Sequence, residues 1–369
     1  YKHHHQFNLR YIDNMLGDEF VLNDISHEIT NVYQPKFAGL GGEHVVYKSP
    51  DHPKVVIKVE GALLLRTAEK TLAGQVLQKE EIGQIVSEKT LRHKKIRDLY
   101  GAEHVPNQKY YYLKVPVNQR IISELANHFY KGRPISEELR NYQGNELETV
   151  VCIQDAIDEF TDPDRISYNT GYAEKVIKNS EIEESEGKIT PENLQTIRDA
   201  YDHLTSESVL TTDHKNTIEL RELSIIYPNL AKLVSKANEN DVLKATLADF
   251  IIKSINNINI YGEILDTAGS DNIIFSKAKT DNWSYVLADA IYPSAAPAEG
   301  RLKQVQSILL KYGHNKTSPL SGEERNDLMN ILNHIRSVNI IANSLGLSER
   351  VNLLRKGMSL TPEDLLRAI

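Results

Sequence analysis

The chain has 369 residues, of which 40% are hydrophobic and 25% charged, and its formal net charge is −8. That length accommodates two domains or one two-lobed unit, and the composition is that of an ordinary globular protein with enough apolar residues for a sizeable core. The acidic balance argues against nucleic-acid binding through the overall field, no run of about 18 apolar residues is present to span a membrane, and a single cysteine, Cys152, excludes an intrachain disulfide.

Residues 1–30 are polar and read as a leading extension. Their His3-His4-His5 run resembles a purification-tag remnant and is set aside from metal arguments. No signal peptide is visible, and the lone cysteine fits a reducing, cytoplasmic setting. Strand chemistry begins near Tyr33. Phe37 to Lys48 carries Gly39, Gly41 and Gly42 at a turn, then Val45-Val46-Tyr47; after the turn signal Asp51-His52-Pro53 comes Val55-Val56-Ile57-Lys58. Gly61 to about Tyr100 contains no proline and is rich in helix formers, with Ile82, Ile85, Val86, Lys89 and Ile96 at helical spacing. The basic run Arg92–Arg97 within it reads as a solvated helix face. Gly101 is a C-terminal stop.

Tyr110–Val115 is aromatic and β-prone. Residues 118–131 look like a helical insertion, and Glu148–Ile153 forms another strand, in which Cys152 reads as a small buried apolar residue. Residues 160–240 are polar, and a flexible loop is expected around Ser180 to Gly187. Thr190-Pro191-Glu192 opens a helix. Leu243, Leu247, Phe250, Ile251, Ile255 and Ile258 line one face of another. Ser321–Glu324 and Thr361–Asp364 are capping signatures of late helices within 301–369. Two Asn-x-Ser/Thr sequons, at Asn282 and Asn315, read as chance occurrences.

Three sets of residues bear chemistry. Glycines let backbone N–H groups approach phosphate oxygens closely, which is the expected use of Gly39, Gly41 and Gly42. A lysine ending an apolar strand must snorkel or find a partner; Lys58 is placed to touch phosphates and to pair with a helix carboxylate, Glu88 or alternatively Glu81. Asp266 opens a loop that leads through Asn272 into a strand, and Asp289 closes the next strand. Magnesium takes hard oxygen ligands, which Asn272 and Asp289 supply, while Asp266 can accept a proton from an attacking hydroxyl.

These residues, in this order, resemble the protein-kinase-like superfamily, including its aminoglycoside and small-molecule phosphotransferase relatives. The resemblance covers about half of the chain. It implies an α+β bilobal protein-kinase-like fold: a small antiparallel-sheet N-lobe with one major helix over 31–155, and a larger, mostly helical C-lobe over 156–369. It further implies ATP and Mg²⁺ as cofactors. Lys58 and Glu88 then correspond to the phosphate lysine and its helix partner, and Asp266 to the catalytic aspartate. Asn272 and Asp289 correspond to the metal ligands, and Gln154-Asp155-Ala156 to the hinge whose backbone holds adenine. The chain departs from the family pattern in several places. His44 stands where a third glycine belongs, Ile264-Leu265 precede Asp266, and Asn272 falls six residues after Asp266 so that Asp271 competes for the metal role. Ala290-Ile291 follow Asp289, and Pro293 and Ala296–Glu299 come early for an activation segment. The expectation is phosphotransfer to a hydroxyl of a small molecule or specific protein. A nucleotide-binding scaffold without turnover, and an unrelated α+β interaction protein, are the alternatives.

Overall fold

The computed structural model describes residues 34–41, 43–130, 134–171, 173–206, 218–278, 281–291, 307, 322–351, 354–355 and 358–359. Gly42, His3–His5, Pro293, Ala296–Glu299 and Thr361–Asp364 lie outside them. The described residues form two compact units, 34–95 with 106–156, and 96–105 with 157–359.

The first unit contains β1 (Lys36–Leu40), β2 (His44–Lys48), β3 (Val55–Glu60), α1 (Gly61–Leu72), α2 (Lys79–Tyr100, whose last turn belongs to the second unit), β4 (Gln108–Pro116), α3 (Gln119–Phe129), α4 (Glu137–Arg140) and β5 (Glu146–Asp155). Its five strands form one antiparallel sheet in the order β1-β2-β3-β5-β4. Alternation along the strands decides the two faces. Val45, Tyr47, Ile57, Val59, Val151, Ile153, Tyr111 and Leu113 are buried on one face, against Leu64, Leu65 and Ala68 of α1 and Ile121, Ile122 and Leu125 of α3. Val150, Tyr110 and Tyr112 look the other way, toward Ile82, Ile85 and Val86 of α2.

The helical stretch 61–100 is two helices rather than one. Gly74, at φ +69°, takes the left-handed conformation that ends α1. Asn118 caps α3 by accepting the Ile121 N–H at 3.0 Å. The basic run is only partly solvated: His93 is buried and donates its Nε2–H to the Pro106 carbonyl at 2.9 Å, and Ile96 sits in a core. Cys152 is half-buried.

The second unit holds β6 (Ile166–Ser167), α5 (Ala173–Ser185), α6 (Pro191–Thr205), α7 (Leu220–Ile226), α8 (Pro228–Glu239), α9 (Asp241–Asn256), β7 (Ile273–Ser276), β8 (Ser284–Leu287), α10 (Gly322–Ser344), β9 (Leu354–Arg355) and β10 (Met358–Ser359). The loop expected around Ser180 to Gly187 is instead helix as far as Ser185, with Ser180 buried. Thr190 caps α6, its hydroxyl accepting the Asn193 N–H at 3.2 Å. The apolar face of α9 is buried along its length. Its Phe250 lies at the centre of an aromatic cluster, with ring centroids 4.9 Å from Tyr168, 5.3 Å from Tyr285 and 5.6 Å from Phe275. That cluster seats the three-stranded sheet β6-β7-β8 on α9. α10 is buried on every side from Ile331 to Ala342, Asn333, His334, Arg336, Ser337 and Asn339 included. Among the described residues no helix is long and apolar enough to cross a membrane.

Candidate functional site

In the second unit the three expected residues are drawn together by the main chain. Ile264 and Leu265 are buried and anchor the loop from α9. Asp266 follows at 5% exposure; its N–H donates to the Ala290 carbonyl at 2.7 Å, and its Oδ1 accepts the Ala268 N–H at 3.0 Å. The Asn272 side-chain Nδ2 donates to the Asp266 carbonyl at 3.1 Å. The Asn272 carbonyl in turn accepts the N–H groups of Ala288 at 2.8 Å and Asp289 at 3.2 Å. A short circuit of hydrogen bonds therefore connects Asp266, Asn272 and Asp289, closed by the β7–β8 hairpin, whose register pairs Ile273 with Leu287.

Two glycines let the loop pack this tightly. A Cβ on Gly269 would come within 2.4 Å of Asn272 Oδ1, and one on Gly171 within 2.3 Å of the Ala268 carbonyl. Thr170 ties the same loop to the β6 side by donating its N–H to the Thr267 carbonyl at 2.8 Å. With Nδ2 committed to Asp266, Asn272 is left with Oδ1, a hard oxygen of the kind Mg²⁺ prefers. Asp289 is half-buried and supplies a carboxylate. Asp271 is exposed and accepts the Ser167 hydroxyl at 3.3 Å. Among the described residues no group of three or more His, Cys, Asp and Glu side chains could hold a metal. A metal here would take one carboxylate and one amide from the protein, the remaining ligands being phosphate oxygens and water.

The first unit carries the other expected residues. Lys58 pairs across the sheet with Val46 on β2 and Cys152 on β5. Gly39 pairs with Val46 after a bulge, and Gly41 donates its N–H to the His44 carbonyl at 2.8 Å. Neither glycine has a positive φ; an added Cβ meets nothing within 4 Å at Gly39 and only the His44 carbonyl, at 3.4 Å, at Gly41. The fold alone does not require glycine at either position.

Glu88 is exposed and accepts the Gln84 side-chain amide at 3.0 Å. Glu81 pairs with Lys70 at 2.6 Å and Arg66 at 3.3 Å, and the Lys70 hydrogen bond holds its carboxyl below the usual range. An ion pair joins β3 to α2: Lys89 Nζ donates to Glu60 Oε1, both side chains being 14% exposed. The sequence gives a signal for it. Lys89 continues the buried stripe of Ile82, Ile85 and Val86, at i+7, i+4 and i+3, whereas Glu88 falls off that stripe. Burial is the largest influence on Lys89 and pushes its ammonium down to about 7; Arg92 adds to the shift and Cys152 opposes it. The Glu60 carboxylate in contact works to keep it charged. The Lys89 ammonium also lies 5.8 Å from the centre of the Tyr110 ring.

A comparison with protein-family models, curated proteins and solved structures finds no match for this chain.

At the expected hinge, the Asp155 N–H donates to the Asn107 carbonyl at 3.0 Å and the Ala156 N–H to the Lys54 carbonyl at 2.8 Å. The Gln154 side chain is buried and accepts from Gln108 at 3.1 Å. These two N–H groups are engaged within their own unit, so an adenine edge at this turn would be met by other backbone groups.

Proposed function

We propose that the protein is an ATP- and Mg²⁺-dependent phosphotransferase of protein-kinase-like fold, acting on a hydroxyl of a small molecule or a specific protein. The observation that carries this reading is the hydrogen-bonded circuit joining Asp266, Asn272 and Asp289. It ties together the backbones of the three residues whose side chains, a carboxylate and two metal-capable oxygen groups, are of the kinds that in-line phosphoryl transfer uses. The five-stranded antiparallel sheet, with a long helix between its third and fourth strands and a lysine on the third, supports the reading independently. The glycines at positions 39 and 41, unforced by their own fold, are in keeping with close approach by a ligand.

In this reading Lys58 and the Gly39–Gly41 turn hold the triphosphate, and Mg²⁺ on Asn272 and Asp289 neutralises its charge. Asp266 orients the acceptor hydroxyl, and catalysis comes from positioning and electrostatics. Asp266→Asn tests the role of the loop: kcat is expected to fall by about 10²-fold or more with little change in nucleotide affinity. Equal losses in both, or none in either, would contradict it.

One observation favours a second reading, a nucleotide-binding scaffold without turnover. Asp266 is nearly covered and one of its oxygens is already bonded to its own loop. Nucleotide-dependent thermal stabilisation with no phosphate released, alone or with any acceptor, would decide for the scaffold.

A further inference from the structure

β8 is an outer strand of the sheet β6-β7-β8, with a strand partner, β7, on one side only. Backbone groups along its other side need partners from elsewhere. His104 supplies two. Its carbonyl accepts the Leu287 N–H at 2.8 Å, and its Nδ1 lies 2.8 Å from the Tyr285 carbonyl. A carbonyl can only accept, so Nδ1 carries the hydrogen of that bond in either charge state of the ring. One residue thus meets positions 285 and 287 as a residue of an adjoining strand would. The imidazole also lies flat on the Tyr285 ring, with centroids 3.7 Å apart and 6° between the planes. Tyr285 is itself tied down, since its hydroxyl donates to Asp249 at 2.9 Å and Asp249 pairs with Lys253. His104 belongs to the same unit as β8, and its side chain is 14% exposed.

Asp289 follows two residues after Leu287. Its N–H and that of Ala288 are held from the β7 side by the Asn272 carbonyl. The end of β8 is therefore held from both sides, by Asn272 on one and His104 on the other. We propose that His104 is a positioning residue for Asp289: it seats the outer edge of β8 and so fixes where the Asp289 carboxylate stands relative to Asn272. The proposal rests on the phosphotransferase reading for the metal, though not for the seating of the strand. Mg²⁺ demands near-ideal octahedral geometry, so a carboxylate displaced by a small shift of its strand binds it less well.

Two substitutions in the full chain separate the hydrogen bond from the ring. His104→Phe keeps the stacking on Tyr285 and removes the donor. His104→Asn places an amide N–H near the Nδ1 position and removes the ring. Amide hydrogen exchange across residues 285–289 is read together with Mn²⁺ affinity in the presence of a non-hydrolysable ATP analogue. In His104→Phe, exchange at Ala288 and Asp289 is expected to quicken about tenfold and Mn²⁺ to bind about tenfold more weakly, as for one lost buried hydrogen bond. Affinity for the nucleotide without metal should stay within about twofold, and His104→Asn should return exchange and Mn²⁺ binding to within about threefold of wild type. Exchange that quickens evenly through α9 and α10, with Mn²⁺ affinity unchanged, would make His104 a packing residue and overturn the proposal. So would unchanged exchange at Ala288 and Asp289 in His104→Phe, or a His104→Asn variant as impaired as His104→Phe. If wild type takes up no Mn²⁺ with the nucleotide while the exchange responds as described, the metal reading fails and the seating of β8 by His104 stands.

Discussion

At the scale of single residues, glycines divide into those the fold needs and those it does not. A Cβ on Gly171 would strike the Ala268 backbone and one on Gly269 would displace the Asn272 side chain, whereas Gly39 faces open space. Gly39→Ala is therefore expected to leave Tm unchanged or slightly raised, since alanine narrows the unfolded ensemble, while weakening Mg·ATP binding. Thermal melts with and without Mg·ATP check both halves, and a lower apo Tm would show a structural role instead. His334 makes the opposite case. It is fully buried on α10, and neither ring nitrogen has a hydrogen-bond partner among the described residues. Burial pushes its pKa down to about 3. An unfolded histidine titrates near 6.5, so between about pH 6.5 and pH 3 the unfolded chain binds the extra proton and stability falls as pH falls. The effect amounts to a few kcal/mol in order of magnitude over that window. His334→Leu should flatten the decline in denaturation midpoint between pH 7 and pH 5. It should also raise stability at pH 7 by about 1 kcal/mol or more, because orphaned polar atoms leave the core. An unchanged pH slope would exclude His334 as its source.

At the scale of elements, the parts built on strong local chemistry are legible in the sequence. The turn of Asp51–Pro53, the β-branched run ending at Lys58 and the capped start of α6 follow from turn, propensity and capping rules. So does the apolar face of α9, because Leu243, Leu247, Phe250, Ile251 and Ile255 recur at helical spacing. The loop from Asp266 to Asn272 is legible as a sequence of acids and amides, but the bonds that close it come from the backbone of Ala288 to Ala290 and of Thr170, which no side-chain pattern announces. α5 escapes notice because only Ala173 and Ser180 are buried along it, so no apolar stripe marks it. The Glu60–Lys89 pair is open to inference from the stripe on α2, yet Glu88, in the middle of the helical stretch, is the more conspicuous partner for Lys58. Packing of elements also makes a prediction. A Cβ at position 171 would press on the Ala268 backbone, so Gly171→Ala should cost about 1–3 kcal/mol by overpacking. Because Ala268 N–H binds Asp266 Oδ1, the same variant should displace the Asp266 carboxylate and lower turnover beyond what the lost stability explains. Chemical denaturation paired with kinetics under conditions where the variant is fully folded separates the two effects.

At the scale of the molecule, the candidate residues are divided between the two units. The first carries Lys58 and a glycine turn that its own fold does not force, and the second the loop of Asp266 and Asn272 tied to Asp289 by the β7–β8 hairpin. The account predicts that Lys58→Ala and Asp289→Ala each weaken Mg·ATP, with the loss in Asp289→Ala depending on the metal and the loss in Lys58→Ala not. The most direct test is a crystal structure of the full chain with Mn²⁺ and a non-hydrolysable ATP analogue. The account predicts an anomalous manganese peak coordinated by Asn272 Oδ1 and the Asp289 carboxylate, with phosphate oxygens of the same nucleotide reaching Lys58 Nζ. Ordered nucleotide that touches neither Lys58 nor a metal on those two side chains would contradict it.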